Sequence, residues 1–253
     1  MFRVLAVGDD RAFLELTRAW LTQLRDIQVE TTTSPMQGLD MLAKTRYDAL
    51  VSDYEMSEMD GVLLLKEVRR RGMAIPFIIF SDCSRKDAII DALNCGADFY
   101  LRRGGDPSAQ SAELRNMILQ AVGRRQAEAI YQSTFEHTGA ATFIIEGDMT
   151  ISLVNSEFTD LTGYRQEEVE GKVPLTALVT REERERLSGY HRARRMDRSS
   201  APRTYEFQLI DRHGSPKDVC MTVGVIPGTD RSVASMIDVS DRKQFEKELH
   251  TAH

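Results

Sequence analysis

The sequence predicts two folds in series: an α/β unit built on a parallel sheet, then a smaller α+β unit. Three observations carry this. The chain has 253 residues, more than one core fills well at ~150 residues per domain. Its first half alternates short apolar runs with segments of helical periodicity, the pattern of a parallel sheet covered on both faces. Its second half changes order, to two strands, then helices, then three strands.

In the first half, Val4 to Val7 is an apolar strand ended by Gly8-Asp9-Asp10. Phe13, Leu14, Leu16, Trp20, Leu21 and Leu24 then recur at helical spacing. Ile27 to Thr33 reads as a second strand, and Ser34-Pro35 as the cap and first residue of a helix through Leu42. Tyr47 to Ser52 is the third strand, ending at Asp53. A helix follows Asp60-Gly61, with Val62, Leu65 and Val68 on one face. Pro76 to Phe80, Lys86 to Cys95, Asp98 to Leu101 and Ala109 to Val122 complete five strands and five helices. Helix character continues past Gly123 to Tyr131, because a single glycine costs a helix only ~1 kcal/mol relative to alanine. In the second half Ala141–Glu146 and Ile151–Val154 flank a turn at Gly147-Asp148. Short helices are expected near Ser156–Leu161 and Gln166–Val169, and a charged one over Arg181–Met196. Strands over Arg203–Asp211, Val219–Ile226 and Val233–Val239 close the unit.

Composition narrows the class. With 42% hydrophobic and 28% charged residues the chain is globular rather than disordered. A net charge of -6 argues against a nucleic-acid partner, and no basic stripe or helix-turn-helix region is evident. The longest apolar stretch, around Ile75–Phe80, falls far short of the ~18 residues of a membrane span. Cys83, Cys95 and Cys220 show no paired spacing, which fits a reducing, cytoplasmic setting without zinc or disulfides.

In parallel sheets functional residues gather at the carboxyl ends of the strands. Those ends carry Asp9 and Asp10, Asp53, Ser81 and Arg103. Carboxylates converging on one pocket need a cation, and oxygen donors beside a phosphate site suit Mg2+. A hydroxyl and a cationic side chain opposite would hold phosphoryl oxygens, and phosphoryl transfer needs little beyond positioning and charge stabilisation.

The acidic pair Asp9-Asp10, the run Asp53-Tyr54-Glu55-Met56-Ser57-Glu58-Met59-Asp60-Gly61, Ser81, and Gly96-Ala97-Asp98-Phe99-Tyr100-Leu101 together resemble a two-component response-regulator receiver domain. The resemblance implies a flavodoxin-like (βα)5 fold with Asp53 as phospho-acceptor from a histidine kinase. It implies Mg2+ held by Asp10, Asp53 and the backbone carbonyl of Glu55, with Asp9 acting through water. Ser81 would bind the phosphoryl group, and Tyr100 would be the aromatic that moves inward on activation. Such domains can catalyse their own phosphorylation and dephosphorylation without being enzymes in the usual sense. Three positions depart from the pattern. Ser57 stands where proline is usual, a change expected to matter little. Asp82 replaces a small residue and is expected to repel phosphate or reshape access to it. Arg103 replaces a lysine and is followed by Gly104 where proline is usual; arginine is bulkier and forked, not a neutral exchange, and Arg102 is an alternative inward cation.

The stretches Asp148–Ile151, Val154-Asn155-Ser156-Glu157-Phe158, Leu161-Thr162-Gly163-Tyr164, Glu168–Lys172 and Asp238-Val239-Ser240-Asp241-Arg242-Lys243 together resemble a PAS domain. That implies an antiparallel five-stranded sheet with helices. It also implies a signal-transfer motif in which Asp238, with Ser240, pairs with Arg242 or Lys243 to couple sheet and outgoing helix. A cysteinyl-flavin is not expected, since Val173-Pro174-Leu175 follows Lys172 without a cysteine. Haem is disfavoured: His191 lies among arginines and reads as solvated. Cys220 reads as core, and a small apolar ligand, or none, stays open.

The organisation expected is a receiver over 1–123, a helical linker over 124–136, a PAS sensor over 137–243 and the start of a further helix over 244–253. The function expected is intracellular phosphorelay signalling, with a homodimer through the PAS domain or linker helix. Two alternatives stay open: the front of a PAS-containing sensor histidine kinase, and a degenerate receiver–PAS scaffold. No kinase domain lies within these residues.

Overall fold

The structure, a computed structural model, describes residues 2–22, 26–82, 85–197 and 199–251. Leu24 and Cys83, both named above, lie outside these residues. Among the described residues the chain divides into two compact units, at Ala129/Ile130.

In the first unit the strands β1 (Phe2–Val7), β2 (Ile27–Thr32), β3 (Ala49–Ser52), β4 (Phe77–Ser81) and β5 (Phe99–Arg102) form one sheet in the order β2-β1-β3-β4-β5. Every pairing is parallel. The helices α1 (Arg11–Thr22), α2 (Pro35–Lys44), α3 (Gly61–Arg70), α4 (Lys86–Asn94) and α5 (Pro107–Glu136) connect them. The pleat explains why the strands read as unbroken apolar runs. Val4 and Ala6 face a core shared with Phe13, Trp20, Phe80 and Ile118, whereas Leu5 and Val7 face another with Leu39, Leu65 and Phe77. Caps set the helix starts as the sequence indicated. Ser34 Oγ accepts the Gln37 N–H ahead of Pro35, and Asp60 Oδ1 accepts the Leu63 N–H. Strand β3 starts later than read, because Tyr47 turns its hydroxyl to Glu30 at 2.7 Å and Asp48 binds the Arg3 N–H.

Helix α5 has 30 residues and runs through Gly123 to Glu136. The segment read as a linker, 124–136, is thus the same helix, and the division between units falls inside it.

The second unit holds β6 (Ala141–Ile145), β7 (Ile151–Val154), β8 (Thr204–Ile210), β9 (Pro216–Val225) and β10 (Ser232–Asp238), in the order β7-β6-β10-β9-β8. All pairings are antiparallel. Helices α6 (Ser156–Thr162), α7 (Gln166–Val169), α8 (Arg181–Met196) and α9 (Ser240–Thr251) accompany them, with a 3-10 turn at Leu175–Leu178 that the sequence reading missed. That turn buries Leu175 and Leu178 against Phe143, Phe158, Leu187 and Met236. Asn155 ties the unit together. Its Oδ1 accepts the N–H groups of Thr142 (2.8 Å) and Phe158 (3.0 Å), and its Nδ2 donates to the carbonyls of Phe135 and Ala140, each at 3.0 Å.

Candidate functional site

Asp53 lies just past β3 and is only 3% exposed. Its position is tightly set. The Asp53 N–H donates to the Val7 carbonyl at 2.9 Å. A Cβ at Gly61 would clash with the Asp53 carbonyl oxygen, and one at Gly8 with the Phe13 ring. Only glycine lets the start of α3 and the loop after β1 close on this strand end.

The Asp53 carboxylate has partners on each side. Oδ1 accepts the Tyr54 N–H at 2.7 Å, and Oδ2 accepts from Arg103 Nη2 at 3.2 Å. The Ser81 hydroxyl, buried at the end of β4, also bonds to it. Burial raises the Asp53 pKa above the usual carboxylate value; Arg103, Ser81 and the N–H groups of Tyr54 and Glu55 pull the other way without cancelling it.

Arg103 is the inward cation and Arg102 is exposed. Besides meeting Asp53, Arg103 places Nε 2.8 Å from Asp82 Oδ1, an ion pair without hydrogen-bond alignment, and its guanidinium lies over the Phe13 ring at 5.0 Å. The exposed Asp82 carboxylate thus faces the outer side of Arg103, a contact the sequence reading did not foresee. The loop behind Arg103 depends on a residue the sequence reading passed over. Gln110 is buried, donates from Nε2 to the Arg102 carbonyl at 2.7 Å, and accepts the Gly104 N–H at 3.1 Å. Gly104 has φ +124°, which proline cannot adopt and other residues adopt only under strain. The available signal was a polar residue in line with Leu114, Ile118 and Val122 at four-residue spacing.

Asp9, Asp10 and Asp53 were expected to share one pocket. Among the described residues no three His, Cys, Asp or Glu side chains are grouped so as to hold a metal by themselves. Two of these acids bond instead to nearby backbone. Asp10 Oδ1 accepts the Ala12 N–H at 2.9 Å, and Asp9 Oδ2 accepts the Ser57 N–H at 2.7 Å. The second contact uses a backbone N–H that a proline at position 57 would lack. The donor chemistry still fits a hard cation. Asp9 and Glu55 line one cleft of about 450 Å³, open to solvent, beginning at the residue after Asp53, and all the donors in question are oxygens. Tyr100 is half-buried and packs against the core that contains Ile79 and Ala97.

The second unit departs from expectation in three places. His191 is buried, not solvated: its Nε2 meets the Gly147 carbonyl at 3.1 Å, since α8 turns this face onto the β6–β7 turn. Burial pushes the His191 pKa down, assisted by the nearby charges of Arg195 and Arg194. Cys220 is only half-buried, because on β9 it alternates with the inward Val219 and Met221. Among the described residues Asp238 pairs with neither Arg242 nor Lys243; its carboxylate accepts the Ser240 N–H at 2.9 Å at the start of α9. Arg242 instead pairs with Glu206, and Lys243 with Glu206 (3.1 Å) and Asp218 (3.0 Å). Ser240 Oγ accepts the Asp218 N–H at 3.0 Å. The outgoing helix is thus fastened to β8 and β9 rather than to its own strand.

Comparison with known proteins agrees with both folds. Residues 4–115 match the family model of the response regulator receiver domain, and residues 129–236 that of the PAS fold. The chain is a response-regulator receiver domain followed by a PAS domain. Among individual proteins, response regulator MprA of Mycobacterium leprae is 29% identical over 158 residues, which span 62% of this chain and 69% of that protein. MprA of Mycobacterium avium is 28% identical over the same shares. Similar solved structures include a receiver domain protein from Clostridium thermocellum, at 22% identity and TM-score 0.45, covering 50% of this chain and 98% of that one. Another is the Francisella response regulator 1452 receiver domain, at 22% identity and TM-score 0.43, covering 47% and 98%.

Proposed function

We propose that the protein is a two-component signalling protein in which Asp53 accepts a phosphoryl group from a histidine kinase and the PAS unit receives the resulting change. One observation carries the reading: a buried carboxylate at the end of β3 is met by both the Ser81 hydroxyl and the Arg103 guanidinium. In the transfer, an Asp53 oxygen bonds to phosphorus as the phosphorus–nitrogen bond of the phosphohistidine breaks, and the departing imidazole takes up a proton. Ser81 and Arg103 hold the phosphoryl oxygens. Mg2+, with Asp10, Asp53, the Glu55 carbonyl and a water-mediated Asp9 as its holders, would neutralise the charge that builds up. Tyr100, on β5, is the residue through which the strand end would respond. Among the described residues no helix is long and apolar enough to cross a membrane. A cytoplasmic setting and a homodimer through the PAS unit or α5 belong to the same proposal.

A degenerate receiver acting as a scaffold is the second reading. Arg103 favours it, because that side chain already spans Asp53 and Asp82. Intact mass after incubation with Mg2+ and acetyl phosphate or phosphoramidate separates the two. The proposal expects one added phosphoryl group in the wild type and none in Asp53→Asn. It also expects Arg103→Ala to slow uptake on the order of 100-fold, the usual effect of deleting a charge-stabilising donor. Faster uptake in Arg103→Ala would make Arg103 a block on the acceptor. No uptake together with no Mg2+ binding would favour the scaffold.

A further inference from the structure

Arg194 stands near the end of α8, and its side chain is almost fully enclosed, with the residue 5% exposed. Its Nη2 donates to the Pro202 carbonyl at 2.6 Å, and the guanidinium also bonds to Tyr205. Both partners are neutral. Among the described residues no carboxylate pairs with it. The nearest acid in sequence, Asp197, is used elsewhere: its Oδ1 accepts the Ser199 N–H at 3.0 Å and its Oδ2 the Ser199 hydroxyl at 2.7 Å. The neighbouring Arg195 is directed away, to the carbonyls of Glu146 and Asp230. Buried charges in proteins are ordinarily paired, because desolvation of a lone ion costs several kcal/mol. Arg194 lacks that pairing within its own fold.

Arg194 also lines a pocket of about 280 Å³, with Arg203 and the β9 residues Val223, Gly224 and Val225 as the other described walls. Among the described residues no acidic side chain contributes to the lining. Arg203 is exposed, so one cation sits deep and the other lies within reach of solvent. A forked donor is suited to two oxygens of one carboxylate or phosphate. The volume lies at the lower edge of the range for ligand pockets, which limits the occupant to a small molecule.

We propose that this pocket on the PAS unit binds a small oxyanion, a carboxylate or a phosphate, between Arg194 and Arg203. The site is separate from Asp53 and does not depend on the reading of that residue. Its position gives it a route to the rest of the unit. Strand β9 pairs over Val219–Val225 with β10, which leads into α9, and the Asp218 of β9 holds Lys243 of that helix.

The test uses the full chain, titrated calorimetrically with sodium succinate and, separately, with sodium phosphate, at an ionic strength held constant with chloride. Saturable one-to-one binding by either anion is expected, and the anion that saturates identifies the chemistry. Arg203→Glu puts a carboxylate at the exposed edge of the pocket without disturbing the core. It should weaken binding by about tenfold or more, the equivalent of one charged hydrogen bond. Arg194→Gln should do the same, with the circular dichroism of the wild type retained as a check on folding. Failure of both anions to bind the wild type overturns the proposal. So does wild-type affinity in Arg203→Glu, which would place any bound anion elsewhere.

Discussion

Asp53 is the residue at which charge and burial conflict. Its pKa is raised by burial, and the groups around it only partly offset this. A raised value means the folded chain holds the proton to higher pH than the unfolded chain. The stability that goes with the protonated form is therefore complete below the ordinary carboxylate pKa. It is lost as pH rises through the folded value. Asn at 53 is neutral throughout and suffers no such loss. Thermal melts of wild type and Asp53→Asn should agree most closely at acid pH and separate in favour of the variant toward neutrality. A gap that stays constant with pH would mean that the conflict lies in another group. Arg103 shows the other side of the same physics. It has two acids and an aromatic face to satisfy, so it is held in place rather than free to swing. A lysine would bring its donors on a single nitrogen and would lack the planar fork that lets separate nitrogens of Arg103 face Asp53 and Asp82.

At the scale of elements, the joints decide more than the elements do. Helix α6 starts at Asn155, whose side chain also reaches β6 and the carbonyl of Phe135 on α5. Replacing it with alanine removes a helix cap and strands several buried backbone groups. Asn155→Ala should therefore destabilise the PAS unit by about 2–4 kcal/mol, measured by denaturant unfolding. A cost below ~1 kcal/mol, that of a simple exposed cap, would show that the other contacts contribute nothing. Helix α9 is joined in the same manner. The sequence motif suggested a bond between Asp238 and the basic residues that follow, four or five positions away. The fold sends those bases across to Glu206 and Asp218, because β8 and β9 lie nearer to them than the capping aspartate does. Motif spacing alone could not reveal this, since Glu206 is more than thirty residues from Lys243 in the chain.

The whole molecule consists of two units, each with apolar cores of its own. The cluster built on Phe143, Phe158 and Met236 contains only residues of the second unit, and those built on Phe80 and Phe77 only residues of the first. Separate cores unfold as separate cooperative units unless a large apolar interface joins them. Calorimetry should show a transition for each unit. Asn155→Ala should lower one and leave the other, and Asp53→Asn should move only the other. A single transition shifted by both variants would show that the units unfold together.

Much of this architecture was legible in the chain itself. The alternation of apolar runs with helical stripes determines the parallel sheet, because a strand buried on both faces has to be apolar at every position. Placing Asp53, Ser81 and Arg103 at successive strand ends follows from the same topology, which brings those ends to one rim. Ser34 and the Asp60-Gly61 pair could be placed at helix starts because capping is a local event. The side-chain partners were decided only by tertiary structure. Asp53 and Arg103 are fifty positions apart, and which oxygen that guanidinium meets depends on a loop held by Gln110 and on the ring of Phe13. His191 looked solvated because its neighbours in the chain are arginines, yet the turn it packs on belongs to β6 and β7. The period of hydrophobicity along a chain dictates which face of an element is buried. It is blind to what the folded chain brings against that face, and there the charges, the pockets and the chemistry of this protein were set.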